Sequence, residues 1–239
     1  MTTLLTMKGF NKKIDYLCFT ANTDGSQIRI YKQGSPTEVS LETSTDGNTW
    51  TDYTINTYLT LSSVWDKVYF RNKSTTDTWF STSTSNYYRF QINWSIGASW
   101  DITYLLNKNG TTKLISNYCF YNLFYSLTNL TTAPSLPATT LRQYCYTQMF
   151  YWCTNLTTLP QLPSTAAPIH CYNMMFAGCS KIKLSTTQTW EYQTPYRIPT
   201  EWTWTTWNYW NYQMFYNTWW TFTWNPTINT TYYTSNTVV

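Results

Sequence analysis

Tyr144-Cys145-Tyr146-Thr147-Gln148-Met149-Phe150, followed by Cys153-Thr154-Asn155-Leu156 and then Pro160-Gln161-Leu162-Pro163, decides how this chain is read. Cys145 and Met149 stand four residues apart, which puts two side chains on one face of a helical turn. Leu156 is a lone aliphatic among polar neighbours, as in a very short strand that sends one residue inward. Pro160 and Pro163 have no amide to donate, so they end regular structure and bend the chain. One helix, one strand and one bend describe a single coil.

The coil recurs. Cys119, Cys145 and Cys171 are spaced by 26 residues, and so are Phe124, Phe150 and Phe176. The same step joins Leu130, Leu156 and Ile182, and joins Cys153 to Cys179. A divergent fourth coil ends in Phe215, 39 residues after Phe176, with an insertion between Lys183 and Tyr209. A period in the twenties lies in the leucine-rich-repeat range. The expectation for residues 96–239 is therefore an α/β leucine-rich-repeat solenoid of about four coils, cored by those cysteine, phenylalanine and aliphatic columns. An insertion at one point of such a stack lies on one face, which makes Tyr192, Tyr196, Arg197, Trp202 and Trp204 the candidate ligand contacts.

Residues 1–95 read differently. Short runs at Tyr16–Thr20, Gln27–Tyr31, Val39–Thr43, Thr51–Ile55, Tyr58–Leu61, Lys67–Arg71 and Tyr87–Ile92 have strand character. Asp24-Gly25, Gly34-Ser35-Pro36 and Asp46-Gly47-Asn48 supply turns. Seven short strands at this spacing predict an immunoglobulin-like sandwich lacking the usual cysteine pair, with 93–115 as junction and first cap.

Charged residues are only 11% of the chain and aromatics 20%, so hydroxyls and amides must carry solubility. The formal charge of +4 comes entirely from the second half, where six basic residues face Glu191 and Glu201. No basic run or stripe accompanies it, which argues against a nucleic-acid partner. Asn, Thr and Tyr interrupt every apolar run, so no membrane span is expected. Met1–Cys18 lacks an apolar core of signal-peptide length, which predicts export by another route or release by lysis.

No catalytic grouping emerges. His170 adjoins Cys171, but neighbours in sequence do not normally face one another, and His170 stands where other coils have Tyr118 and Tyr144. Cys145, Cys153, Cys171 and Cys179 lack the paired C-x-x-C spacing of a zinc site and read as reduced, packed thiols. Glu191 and Glu201 lie in the insertion with nothing to fix their separation, so a glycosidase pair is a weak reading. Phosphate-binding glycine loops are missing from the sequence. The expectation is a protein that is not an enzyme and has no cofactor or metal.

The units Leu127-Thr-Asn-Leu130-Thr-Thr-Ala-Pro134-Ser-Leu-Pro137 and Cys145-Tyr-Thr-Gln-Met149-Phe150-Tyr-Trp-Cys153 resemble BspA-like leucine-rich repeats over about half the chain. Ser40-Leu41-Glu42-Thr43-Ser44-Thr45-Asp46-Gly47-Asn48-Thr49-Trp50 and Asp66-Lys67-Val68-Tyr69-Phe70-Arg71 resemble the sandwich that precedes such repeats in phage-type members. The resemblance implies adhesion without catalysis. It points to a phage virion component, a fibre or decoration protein, that binds a host-surface protein or glycan beside other virion proteins, with self-association open. A bacterial surface adhesin is the alternative, and a glycan-hydrolysing enzyme the weaker one. Either of the first two places the chain on a virion surface or outside a cell.

The composition is anomalous in one respect: there are 14 tryptophans and 7 glycines, the reverse of ordinary usage. Trp152 falls one repeat before Gly178, Trp65 precedes Asp66 at an expected turn, and Trp94 and Trp100 flank Gly97. Tight and left-handed turns favour glycine because it has no Cβ. Two readings follow: UGA codons decoded as glycine in the source, or a true aromatic surface.

Overall fold

Alternation of inward and outward side chains builds the first half. The computed structural model describes residues 15–198, 212–218, 226–227 and 230–239. The seven runs expected as strands form β1 (Leu17–Ala21), β2 (Ser26–Gln33), β3 (Leu41–Ser44), β4 (Thr51–Tyr53), β5 (Leu59–Leu61), β6 (Lys67–Asn72) and β7 (Tyr87–Asn93). In β2, Ile28 and Ile30 are buried while Arg29 and Tyr31 lean outward, and in β7 Tyr88 and Phe90 are buried between Arg89 and Gln91. Such a period of two sends every second residue to one face. An eighth strand, β8 (Ile96–Ser99), pairs antiparallel with β1.

The strands form two antiparallel sheets, ordered β4-β3-β6-β1-β8 and β5-β2-β7. Phe19, Phe70 and Phe90 meet between them, with centroids 4.7 to 5.8 Å apart. The immunoglobulin-like order is not present. In that order the strand after β7 would extend the second sheet, whereas β8 returns to the first and lies outside β1. β8 also lies past residue 95, so a boundary drawn there cuts through the sandwich.

The α/β leucine-rich-repeat solenoid expected for residues 96–239 is likewise overturned. Among the described residues the sole helical element is a four-residue 3-10 turn, Ile102–Leu105, and the chain is β-rich with antiparallel sheets. Where helices were expected, the backbone makes consecutive tight turns. It enters the left-handed region at every fourth residue: Tyr118, Asn122 and Ser126, then Tyr144, Gln148 and Trp152, then His170, Met174 and Gly178. An α-helix contains no such residue.

Hydrogen bonding explains why these turns hold. Some amides close turns locally, as Leu123 N–H does to the Phe120 carbonyl and Met149 N–H to Tyr146. Others reach the next unit: Phe124 donates to Met149 at 2.9 Å, Phe150 to Met175 at 2.9 Å, and Phe176 to Met214 at 2.9 Å. A helix would direct all of these bonds inside one segment. Turns repeating every four residues bury the same i, i+4 pairs as a helix of 3.6, and one short run cannot separate the two periods, which is why the sequence pattern pointed to a helix.

The apolar columns do stack. Phe124, Phe150, Phe176 and Phe215 lie nearly parallel at successive centroid distances of 5.2, 5.5 and 5.4 Å. Cys119, Leu130, Cys145, Cys153, Leu156, Cys171, Cys179 and Ile182 are buried around them. Phe124 also stacks on Phe90 at 5.4 Å, which joins the column to the sandwich interior. Backbone bonds seal the same junction: Phe90 N–H donates to the Leu123 carbonyl at 2.8 Å, and Thr131 N–H to Ile96 at 2.9 Å. The first turn unit thus covers the outer edges of both sheets, which would otherwise expose unpaired backbone.

The chain ends in short strands: β9 (Thr158–Leu159), β10 (Leu184–Ser185), β11 (Thr194–Arg197), β12 (Thr231–Thr234) and β13 (Thr237–Val238). β12 lies between β10 and β11, and β13 runs parallel to β9. No helix among the described residues is long and apolar enough to cross a membrane.

Candidate functional site

Since each turn repeats every four residues, its outward positions line up as regularly as its inward ones. Tyr118, Tyr144 and His170 form one half-buried column, with successive ring centroids 4.6 and 4.8 Å apart and planes within 18°. Tyr125 and Tyr151 form a second column at 5.0 Å. Tyr121 packs edge-on to Tyr118 at 5.9 Å and to Tyr87 of β7 at 5.3 Å, so the face extends onto the sandwich. Half-buried Gln148 and Asn173 add amides between the ring columns.

Stacking along a column occupies the ring faces, leaving edges and polar atoms to meet a partner. No residue in these three runs of turns carries a formal charge with His170 neutral. Burial, then neighbouring Tyr144, pushes the Tyr118 phenol up, and burial followed by Tyr87 does the same to Tyr121. These hydroxyls are therefore neutral donors and acceptors across the physiological range. The face is an uncharged surface of phenols and amides that can both donate and accept hydrogen bonds.

Behind that face the thiols point inward. All six cysteines are buried and unbridged. The Cys153 thiol donates to the Phe124 carbonyl at 3.0 Å and the Cys179 thiol to Phe150 at 2.9 Å. Burial pushes Cys145 up to about 12 and raises Cys119, Cys153, Cys171 and Cys179 as well. A thiol held neutral in this way is a packing group and a poor nucleophile. His170 instead stacks on Tyr144, with Nδ1 2.9 Å from the Asn173 amide nitrogen.

Of the contacts expected in the insertion, the two tyrosines are placed otherwise. Tyr192 is buried, and Tyr196 is buried with its hydroxyl donating to the Pro160 carbonyl at 3.0 Å. Arg197 is exposed in β11 and reaches the Leu162 carbonyl at 3.3 Å. Trp202 and Trp204 lie outside the described residues. The described part of the insertion, as far as residue 198, is drawn into a sheet because β12 pairs with both β10 and β11. Glu191 lies 3.7 Å from Lys183 in an ion pair, and Glu201 is outside the described residues.

A cleft of about 620 Å³ runs beside β8, lined by Asp15, Trp100, Asp101, Thr132, Ser135 and Thr158 among others. Asp101 Oδ1 accepts the Thr103 amide at 2.7 Å, capping the 3-10 turn. Its carboxylate is thereby engaged in structure. No group of three or more His, Cys, Asp or Glu side chains suited to a metal ion occurs among the described residues.

The tyrosine face was missed by reading the sequence, though its signal was present. The 26-residue step that aligns the phenylalanines also aligns Tyr118 with Tyr144, and Tyr125 with Tyr151. No protein-family model matches the chain, and no curated protein or solved structure matches it.

Proposed function

We propose that the chain is a non-enzymatic recognition protein displayed on a virion surface, whose stacked turns present a tyrosine-edged face to a host-surface glycan or protein. The observation that carries this reading is the pair of outward ring columns, Tyr118–Tyr144–His170 and Tyr125–Tyr151. Their regular spacing costs the core nothing, because separate columns of cysteine and phenylalanine fill the interior. Tyrosine contributes large contact area and a hydrogen-bonding tip at low entropic cost, which suits interfaces. The absence of charge favours a neutral partner over an acidic one. The likeness of the 26-residue units to BspA-like repeats supports adhesion as the role and does not bring the solenoid with it.

The test is binding of the full chain to intact host cells and to polysaccharide purified from their surface. Replacing Tyr118 and Tyr144 together by Ser is expected to weaken binding by about tenfold or more, with little change in thermal stability. Retained binding by the folded double variant would contradict the assignment of this face. Chemical turnover of the polysaccharide by the chain would contradict its non-enzymatic character.

A further inference from the structure

The tryptophans adopt the backbone of glycines. Of the seven tryptophans among the described residues, four have a left-handed backbone: Trp65 at φ 74°, Trp94 at 68°, Trp100 at 65° and Trp152 at 57°. Five of the six described glycines do the same, and no described phenylalanine does. For an L-residue this conformation brings Cβ against the backbone, and for a bulky side chain it is an outlier. Outside the stacked turns, one other described non-glycine residue shares it, Asn56, of a type that tolerates it.

Local geometry points the same way at Trp65, Trp94 and Trp152. Asp66 N–H closes a turn onto the Ser63 carbonyl at 3.1 Å, which puts Trp65 third of four. With positive φ, that is the position a type II turn gives to glycine. Trp94 sits in the two-residue link between β7 and β8, where the chain passes from one sheet to the other. Trp152 shares its left-handed backbone with other turn residues such as Tyr144 and His170, but it alone of them stands 26 residues before a glycine, Gly178. A Cβ on Gly178 would approach Trp152 Cγ to 3.0 Å, so this column has room for only one large side chain.

Two of the indoles gain little in return, whereas the Trp100 indole stacks on Tyr69 at 5.7 Å beneath the Lys67 ammonium. Trp65 is 74% exposed and Trp94 64% exposed, and neither has a ring neighbour. Trp50 shows what an integrated tryptophan looks like here. It lies edge-on to Tyr16 at 4.8 Å, beneath the Arg71 guanidinium at 3.9 Å, with an ordinary backbone.

We infer that the protein made in its source carries glycine at positions 65, 94, 100 and 152, encoded by UGA triplets read there as glycine. The inference is independent of what the tyrosine face binds, since none of the column rings is tryptophan. It also enlarges the cleft beside β8, from which the Trp100 indole would be missing.

Two measurements test it. Peptide mapping by mass spectrometry of protein isolated from the source is expected to find glycine at these four positions and tryptophan at Trp50. Tryptophan at all four overturns the inference. In recombinant protein of the sequence as written, Trp65→Gly and Trp94→Gly are expected to raise Tm by about 2 to 4 °C each. Trp79→Gly, at an exposed position with ordinary backbone, should give no such rise. A fall in Tm for both Trp65→Gly and Trp94→Gly would overturn the claim that these positions require glycine.

Discussion

Phe90 in the sandwich and Phe150 in the stacked turns are both fully buried, yet their surroundings differ in kind. Phe90 meets Phe19 and Phe70 at steep angles across two sheets, and only Phe124 lies parallel to it. Phe150 lies between two parallel rings, one from the unit before it and one from the unit after. In the sandwich, strands far apart in sequence supply the hydrogen bonds, and side chains alternate. In the stack, each turn supplies half its own bonds and takes the rest from its successor. Regularity therefore runs along the chain in one half and across its repeats in the other. The junction at Phe90 and Phe124 makes a single core of the two.

Removing a ring from the column is the largest test of this contrast. Phe150→Ala is expected to cost about 3 to 5 kcal/mol in urea unfolding, the range for large aromatic deletions in packed interiors. Phe215→Ala, whose ring stacks on Phe176 in the last described unit of the column, should cost less. Equal losses would mean that the column does not transmit packing from unit to unit.

Alkaline pH sharpens the difference between the halves. Five of the six cysteines lie in the stack, and burial raises the pKa of each. Such a group stabilises the fold fully below its unfolded value of 9.0, and Cys145 loses that contribution progressively up to about 12. Above the lower limit the unfolded chain binds fewer protons than the folded one, so stability falls as pH rises. The expected slope is roughly 1 kcal/mol per pH unit for each buried thiol. Denaturation midpoints measured from pH 8 to about 11 should drop steeply, and Cys145→Ala with Cys171→Ala should flatten the curve. An unchanged curve in that variant would remove the thiols as its cause.

How much of the fold was legible follows from the two kinds of regularity. Ile28, Ile30, Tyr88 and Phe90 alternate with polar residues, and that alternation by itself is enough to mark β2 and β7. The place of β8 was not marked, because Ile96-Gly97-Ala98-Ser99 is short and both its position and its partner depend on the whole sheet. In the turns, Cys145 and Met149 gave the correct inward face and the wrong element, since the pattern fixes burial and leaves the hydrogen-bond partner open. The tyrosine face was legible in its spacing alone. Tyr196 was misplaced because nothing local to the insertion encodes pairing with Tyr232 some 36 residues away.

A smaller effect probes how completely the stack is satisfied. Tyr146 is buried between Phe120 and Tyr172, and its hydroxyl has no partner. Tyr146→Phe should leave stability unchanged or raise it by up to about 1 kcal/mol, because an unpaired buried hydroxyl is unfavourable. Tyr196→Phe should instead lose about 1 kcal/mol with its bond to Pro160. The pair compared by thermal melting separates an idle hydroxyl from an engaged one.

The claim on which the architecture rests is that amides of the turns are bonded from unit to unit and share one core with the sandwich. Native-state hydrogen exchange measures it directly, in the intact chain and in Phe150→Ala. The amides of Phe124, Phe150 and Phe176 are expected to exchange only through the same global opening as those of Phe19 and Ile28, and Phe150→Ala to accelerate the remaining four alike. Rapid local exchange at the turn amides, with the sandwich amides unaffected by Phe150→Ala, would contradict it.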